Sequence, residues 1–246
     1  MSIPKIIHYC WFGGGAISAE SQKCMESWKK YCPDYKIIEW NEQNFDISTN
    51  RYAQQAYEAK KYAFVSDYVR LAVLYEYGGI YLDTDVELVR PLDELLELPG
   101  FMGFQTNNEV ATGLGFGARK GNSVVQALLR DYDALDFLKA DGSADLTPCP
   151  ERNTRVLQAL GVRKDGTRQS IAEMEIFPAE YFCPMDLYSR ELRVTPKTYS
   201  IHRYAESWKP KPSAVSRILQ RLLKKHYYTW YCPLRGRIEG RLRKRT

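Results

Sequence analysis

The stretch AFVSDYVRLAVLYEYGGIYLDTDVELVRP, residues 63–91, decides the fold of this chain. Between residues 64 and 77, Phe64, Val65, Val69, Leu71, Ala72, Val73 and Leu74 leave little polar surface. A helix this apolar is mostly buried. Gly78-Gly79 follows as a C-cap signal and turns the chain sharply. Residues 80–82 then predict a short buried strand that delivers Asp83 and Asp85 at its end. In extended backbone, residues i and i+2 point to the same side, so both carboxylates are expected to face one divalent ion. Such an ion keeps open positions for water and substrate phosphates. In the helix, Asp67 and Arg70 are three apart and share a face. They read either as an internal salt bridge or as a polar notch for substrate hydroxyls. The second reading is preferred, because a buried ion pair adds little net stability.

Outward from this segment, hydrophobic patterning predicts an alternation of strands and helices. Strands are expected at residues 3–12, 35–40, 101–105, 114–118, 173–177 and 198–202. Helices are expected at residues 20–31, 52–60, 122–135 and 153–160, with a loop over 139–150. This order implies an α/β fold with a mainly parallel central sheet flanked by helices. In such folds ligands bind beyond the carboxyl ends of the strands, where Trp11, Asp83, Asp85 and His202 all fall. Trp11-Phe12-Gly13 opens a glycine triplet after the first strand. An indole there can stack on a nucleobase, and the glycines allow close backbone approach. The other reading is a core tryptophan beside a flexible turn. His202 offers an imidazole, a suitable ligand for Mn²⁺, or else is a buried structural residue. His8 lies mid-strand and is expected to be a satisfied core histidine. Asn107, Asn108 and Glu109 form a polar loop that could border an acceptor.

Three separated motifs, taken in order, resemble one family. SDYVRLAVLYEYGGIYLDTDVELVRPLDEL is similar to the DXD region of glycosyltransferase family 32, which includes bacterial capsule and surface-polysaccharide transferases and yeast-type α-mannosyltransferases. The region is also similar to the catalytic core of clostridial glucosylating toxins. IPKIIHYCWFGGG resembles their opening strand, and IHRYAESW resembles their last active-site segment. The resemblance implies a GT-A fold, a nucleotide-sugar donor, Mn²⁺ or Mg²⁺, and retention of anomeric configuration. It further implies that Trp11 stacks on uracil, with Phe12 and Gly13 beside the nucleotide. Asp85 would be the direct metal ligand, while Asp83 would contact ribose or bound water. His202 fits the third ligand that many GT-A enzymes take from near the C-terminus. Ser207 and Trp208 would touch the diphosphate, and Asp67 and Arg70 the donor sugar.

Composition bounds the rest. The chain has 246 residues, 44% of them hydrophobic, enough for one large α/β domain. No apolar run is long enough to span a bilayer, and the N-terminus reads as a strand rather than a signal peptide. Cysteines 10, 24, 32, 149, 183 and 232 show no zinc spacing, so reduced thiols are expected. The net charge of +5 hides an asymmetry. From Arg203 onward there are 13 Lys and Arg against 2 Asp and Glu, whereas residues 1–202 hold 22 basic against 28 acidic residues. We therefore divide the chain into a catalytic body, residues 1–210, and a basic tail, residues 211–246. In the tail, Val215, Ile218, Leu219, Leu222 and Leu223 follow helical spacing, and Tyr227, Tyr228, Trp230 and Tyr231 come next. A basic amphipathic helix of this kind suits an anionic membrane surface, unless its apolar face packs on the body. No nucleic-acid partner is expected, since no recognised binding fold accompanies the basic residues.

The functional expectation is a metal-dependent hexosyltransferase using a UDP-sugar and a glycan or lipid-linked acceptor in bacterial surface polysaccharide assembly. It would be cytoplasmic and peripheral at the inner face of the plasma membrane. The alternatives are a GDP-mannose-dependent mannosyltransferase and an inactive membrane-surface binding module of the same fold.

Overall fold

The computed structural model describes residues 2–187 and 189–205. The elements run in the order β1 (Ile6–Cys10), α1 (Ala19–Tyr31), β2 (Lys36–Trp40), α2 (Arg51–Glu58), α3 (Tyr62–Tyr77), β3 (Gly79–Tyr81), β4 (Val86–Leu88) and β5 (Gly100–Phe104). Then come β6 (Val110–Ala111), β7 (Phe116–Ala118), α4 (Ser123–Asp133), α5 (Cys149–Ala159), β8 (Gln169–Ile171), β9 (Met174–Phe177), α6 (Ala179–Phe182) and β10 (Ser200–His202). The main sheet has the order β2-β1-β3-β7-β5-β9-β8, with β6 paired to β5. β1 lies parallel to both β2 and β3, and β5 lies parallel to β9. β7 is inserted antiparallel between β3 and β5. Most of the strands thus share one direction, as expected, and periodicity did not reveal that β6, β7 and β8 run against it.

Both faces of the sheet are covered. α2, α3, α4 and α5 pack one face, where Tyr52, Val65, Leu71, Val125 and Leu157 meet Tyr81, Met102, Phe104 and Phe116. The opposite face joins Trp28 of α1 and Phe182 of α6 to Ile7, Ile80, Leu82 and Phe101. Alternation along the strand puts Ile80 and Leu82 on one face and Tyr81 on the other. Burial at both faces accounts for the near-continuous apolar strands.

Helix ends follow local rules. Ser18 caps α1 by accepting from the Ser21 N–H, and Asn122 caps α4 by accepting from Val124 and Val125. α5 begins at Cys149, inside the expected loop, because Pro150 falls in its first turn, where no intrahelical N–H is needed. α3 stops at Gly78, whose φ of +67° suits glycine and whose N–H returns to the Leu74 carbonyl.

The acidic segment departs from its expectation. β3 ends at Tyr81, and Asp83 to Val86 forms a tight turn closed by the Val86 N–H on the Asp83 carbonyl, 3.0 Å. The two carboxylates are therefore not brought together by an extended strand. β10 belongs to a separate two-stranded sheet, antiparallel to β4, in which His202 sits opposite Val86. That pairing carries His202 to the acidic turn. Ser207, Trp208 and the amphipathic tail lie outside the described residues.

Candidate active site

The site is assembled where α3, the turn after β3, the segment before β7 and β10 meet. From Asp83, Asp85 and His202, one ligand atom each lies within 4.8 Å of the others. His202 Nε2 is 3.2 Å from Asp85 Oδ1. The other Asp85 oxygen accepts the Ala205 N–H at 2.7 Å, and the Arg203 N–H reaches the Asp85 carbonyl at 2.9 Å. The 202–205 segment thus wraps Asp85 from two sides. Burial opposes ionisation of Asp85, but His202 and the Ala205 N–H outweigh it and hold the carboxyl at about 2. Burial likewise opposes protonation of His202, while Asp85 at contact distance raises its pKa.

Asp83 is fixed from the opposite side. Tyr81 donates to its Oδ1 at 3.0 Å, and Arg70 Nη2 approaches the same oxygen at 3.1 Å. The Asp83 N–H donates to the Gly113 carbonyl at 3.1 Å. Gly113 is buried against the carboxylate, and a Cβ there would overlap Asp83 Oδ2. Neither Tyr81 nor Gly113 was singled out in the sequence. The alternation that sets Tyr81 two residues before Asp83 on the same side was a usable signal for the first; Gly113 carried none.

Arg70 joins both clusters. Its Nη2 lies 3.1 Å from Asp67 Oδ1 as well as from Asp83, and Nε donates to the Ser66 carbonyl at 3.1 Å. Nη1 is directed at Thr112 and Cys149, and the guanidinium stacks 4.9 Å from the Tyr81 ring centroid. Burial pushes the Asp67 carboxyl up to about 6 against the pull of Arg70. The internal salt bridge is therefore real. Its extension to Asp83 makes Arg70 a support of the acidic turn in addition to any contact with a sugar.

Trp11 follows β1, half-buried, and its Nε1 donates to the Gly15 carbonyl at 2.6 Å. Gly13 takes a φ of +87° beneath the Tyr62 ring, which leaves no room for a side chain, and its N–H meets Glu42 at 2.6 Å. Phe12, expected beside the nucleotide, has its ring in the core, in the same cluster as Cys10, while Trp11 packs on the other cluster. His8 is the satisfied core histidine expected: Trp40 Nε1 donates to Nδ1 at 3.0 Å, and Nε2 meets the Gly78 carbonyl at 2.9 Å. Burial lowers its pKa to about 4. Asn107 and Glu109 bond each other across a tight turn, and Glu109 also pairs with Lys164. The five described cysteines are free and buried.

The donor set fits a divalent cation. Two carboxylates and an imidazole converge, and His202 Nδ1 is buried without a hydrogen-bond partner. Oxygen donors with one imidazole suit Mn²⁺.

Residues 18–101 match the family model described as the glycosyltransferase sugar-binding region containing the DXD motif. This region is similar to the DXD glycosyltransferases. The DXD region ends just inside β5, so it holds Asp67, Arg70, Tyr81 and both acids, while His202 is added from beyond it. The sheet described above is the mostly parallel, helix-flanked sheet of an α/β fold. The chain is 29% identical over 151 residues to inositol phosphoceramide mannosyltransferase 3 of Schizosaccharomyces pombe, covering 55% of this chain and 39% of that protein. It is 28% identical over 148 residues to human alpha-1,4-N-acetylglucosaminyltransferase, covering 60% and 38%. A glycosyltransferase of Acanthamoeba polyphaga mimivirus is 25% identical over 221 residues, covering 85% and 84%. The chain thus spans about two fifths of the length of the yeast and human relatives. Among solved structures, the PaToxG glycosyltransferase shares 21% identity with a TM-score of 0.47, covering 64% of this chain and 69% of that one.

Proposed function

We propose that this chain is a metal-dependent glycosyltransferase that moves a hexose from a nucleotide sugar to a glycan or lipid-linked acceptor. The observation that carries the reading is the convergence of Asp83, Asp85 and His202 at the edge of a DXD region. A divalent ion held there would neutralise charge on the departing nucleoside diphosphate. The protein's own groups set up the rest. Arg70 and Tyr81 fix Asp83, and the 202–205 segment fixes Asp85. Trp11 and the backbone at Gly13 stand at the end of β1, where a nucleobase and ribose would lie. Asp67 and Arg70 face the donor sugar. Transfer with retention of anomeric configuration follows from the family resemblance.

UDP is the favoured nucleotide, with Trp11 stacked on uracil. A second reading, GDP-mannose as donor, is favoured by relatives named as an inositol phosphoceramide mannosyltransferase in fission yeast and a mannosyl phosphorylinositol ceramide synthase in budding yeast. Thermal melting of the full-length protein with UDP or GDP, in Mn²⁺ and in a chelator, tests the assignment. At a hundredfold excess over Kd, a bound nucleotide adds about 2.7 kcal/mol, which is about 5–10 °C in Tm for a domain of this size. The rise should need the metal. No shift with either nucleotide would overturn the reading.

The division into a body at residues 1–210 and a tail at 211–246 belongs to the same proposal. Among the described residues, no helix is long and apolar enough to cross a membrane. The tail would seat the enzyme on an anionic membrane that carries its acceptor, with surface polysaccharide assembly as the setting. Full-length protein should cosediment with phosphatidylglycerol vesicles and be partly released by salt, since screening weakens the basic contacts while the aromatic ones persist. Failure to cosediment at low salt would remove the membrane from the proposal.

A further inference from the structure

A metal-ligating histidine ordinarily gives its second ring nitrogen to a hydrogen-bond partner, and that bond fixes the orientation of the ring. His202 is held differently. Its Nε2 faces Asp85 at 3.2 Å, and its Nδ1 is buried with no hydrogen-bond partner among the described residues. β10 ends at His202, and the ladder to β4 sets the backbone of this residue opposite Val86 without fixing its side chain. Another group must hold the imidazole toward the acids.

Tyr204 is placed to do so. Its ring meets the imidazole edge-on, with centroids 4.3 Å apart. The Tyr204 ring is itself fixed. Its hydroxyl lies 2.9 Å from Sγ of Cys183, the residue that ends α6, and the Arg190 guanidinium lies 4.7 Å from its centroid. α6 is in turn secured to the core. Phe182 is fully buried and stacks on Phe101 and Tyr199. Ser200 Oγ donates to the Phe182 carbonyl at 3.3 Å, and the Tyr199 N–H donates to the Tyr181 carbonyl at 2.7 Å. A line of contacts thus runs from the core through α6, Cys183 and Tyr204 to His202.

The backbone at Tyr204 supports the same reading. Its φ is +52°, in the left-handed region that L side chains avoid. Glycine or asparagine would take this turn with less strain, so the backbone does not account for a tyrosine here. Such conformations persist where surrounding contacts over-determine them. The turn brings the ring onto His202 and aims the next N–H, that of Ala205, at Asp85 at 2.7 Å. We propose that Tyr204, anchored on Cys183, is the positioning residue for His202. Its ring edge takes the place of the hydrogen bond that Nδ1 lacks and holds the imidazole toward Asp83 and Asp85. The inference rests on the proposed function, since it takes His202 as a metal ligand.

Calorimetry with Mn²⁺ alone on the full-length protein tests it, with a melting curve for each variant. Tyr204→Asn accepts the left-handed turn and removes the ring. It should weaken Mn²⁺ binding about 10- to 100-fold, the usual cost of losing a group that orients a metal ligand. Tyr204→Phe keeps the ring edge and drops the Cys183 contact, and should lose about 2- to 10-fold, the net worth of one hydrogen bond. In a His202→Ala background, Tyr204→Asn should cost no more than about a further twofold, because the two residues act through one ligand and their effects do not add. Unchanged Mn²⁺ affinity in the folded Asn variant would overturn the inference. So would an equal loss in both backgrounds, because Tyr204 would then act through the turn at Ala205 and not through His202. Where the Asn variant does not fold, Tyr204→Phe decides, and wild-type affinity in that variant would overturn the inference. Failure of the wild-type protein to bind Mn²⁺ or Mg²⁺ is a separate result: it would overturn the proposed metal dependence and this inference with it.

Discussion

Asp85→Asn should give a folded protein whose metal-dependent hydrolysis of its nucleotide-sugar donor falls by two to three orders of magnitude, about 3–4 kcal/mol of lost transition-state stabilisation. Asn is isosteric, and its amide oxygen can still accept the Ala205 N–H that meets Asp85 at 2.7 Å. The Arg203 N–H bonds the backbone carbonyl of residue 85 and is untouched. The change therefore removes the charge and with it the ion pairing to His202, 3.2 Å away, while keeping the shape of the side chain. That charge is present at any working pH, because His202 and Ala205 hold the carboxyl at about 2 against the cost of burial. Hydrolysis assays alongside a melting curve check the prediction. Near-wild-type turnover in a folded variant would remove Asp85 from the metal site.

Gly113→Ala should produce a comparable loss for a different reason. The new methyl would occupy the position of Asp83 Oδ2. Asp83 cannot swing freely away, because Tyr81 and Arg70 both hold its other oxygen, at 3.0 and 3.1 Å. The carboxylate must rotate off these partners or the turn must shift. A misplacement of about 1 Å in a catalytic group can cost about a hundredfold in rate. The obstructing atom is the end of a side chain, and Gly113 does not need a positive φ, so the fold should survive with a modest drop in Tm. Turnover would fall about a hundredfold while far-ultraviolet circular dichroism stays native. Wild-type turnover would show that Asp83 tolerates displacement and is not part of the reacting arrangement. Unfolding would show that Gly113 serves the core first.

The two variants probe parts of the site that differ in legibility. Asp83 and Asp85 stood out because they follow a glycine-terminated buried helix and a short apolar strand. Those are local signals, carried by side-chain periodicity and by the backbone freedom of Gly78 and Gly79. The same local physics placed α1 to α4 and the strands on both sides of α3 within a few residues of their observed bounds. His8 was legible as a core residue because a mid-strand position in a doubly covered sheet has no route to solvent, and Trp40 and Gly78 satisfy both of its nitrogens.

Other features had no local signature. β10 was expected within the strand at residues 198–202, but β4 is three residues, too short for any period to show, and only their antiparallel pairing sets His202 opposite Val86 and so beside Asp85. The clamp on Asp83 draws on α3, β3 and the Thr112–Gly113 segment, which meet through the antiparallel insertion of β7. By itself, then, the sequence determined the α/β class, the buried α3, the acidic pair and the chemistry of its donors, because each depends on neighbours along the chain. Only the tertiary structure decided which atoms meet those acids. Contacts between distant segments are set by sheet order and turn geometry, and hydrophobic periodicity specifies which side of an element is buried without specifying what buries it.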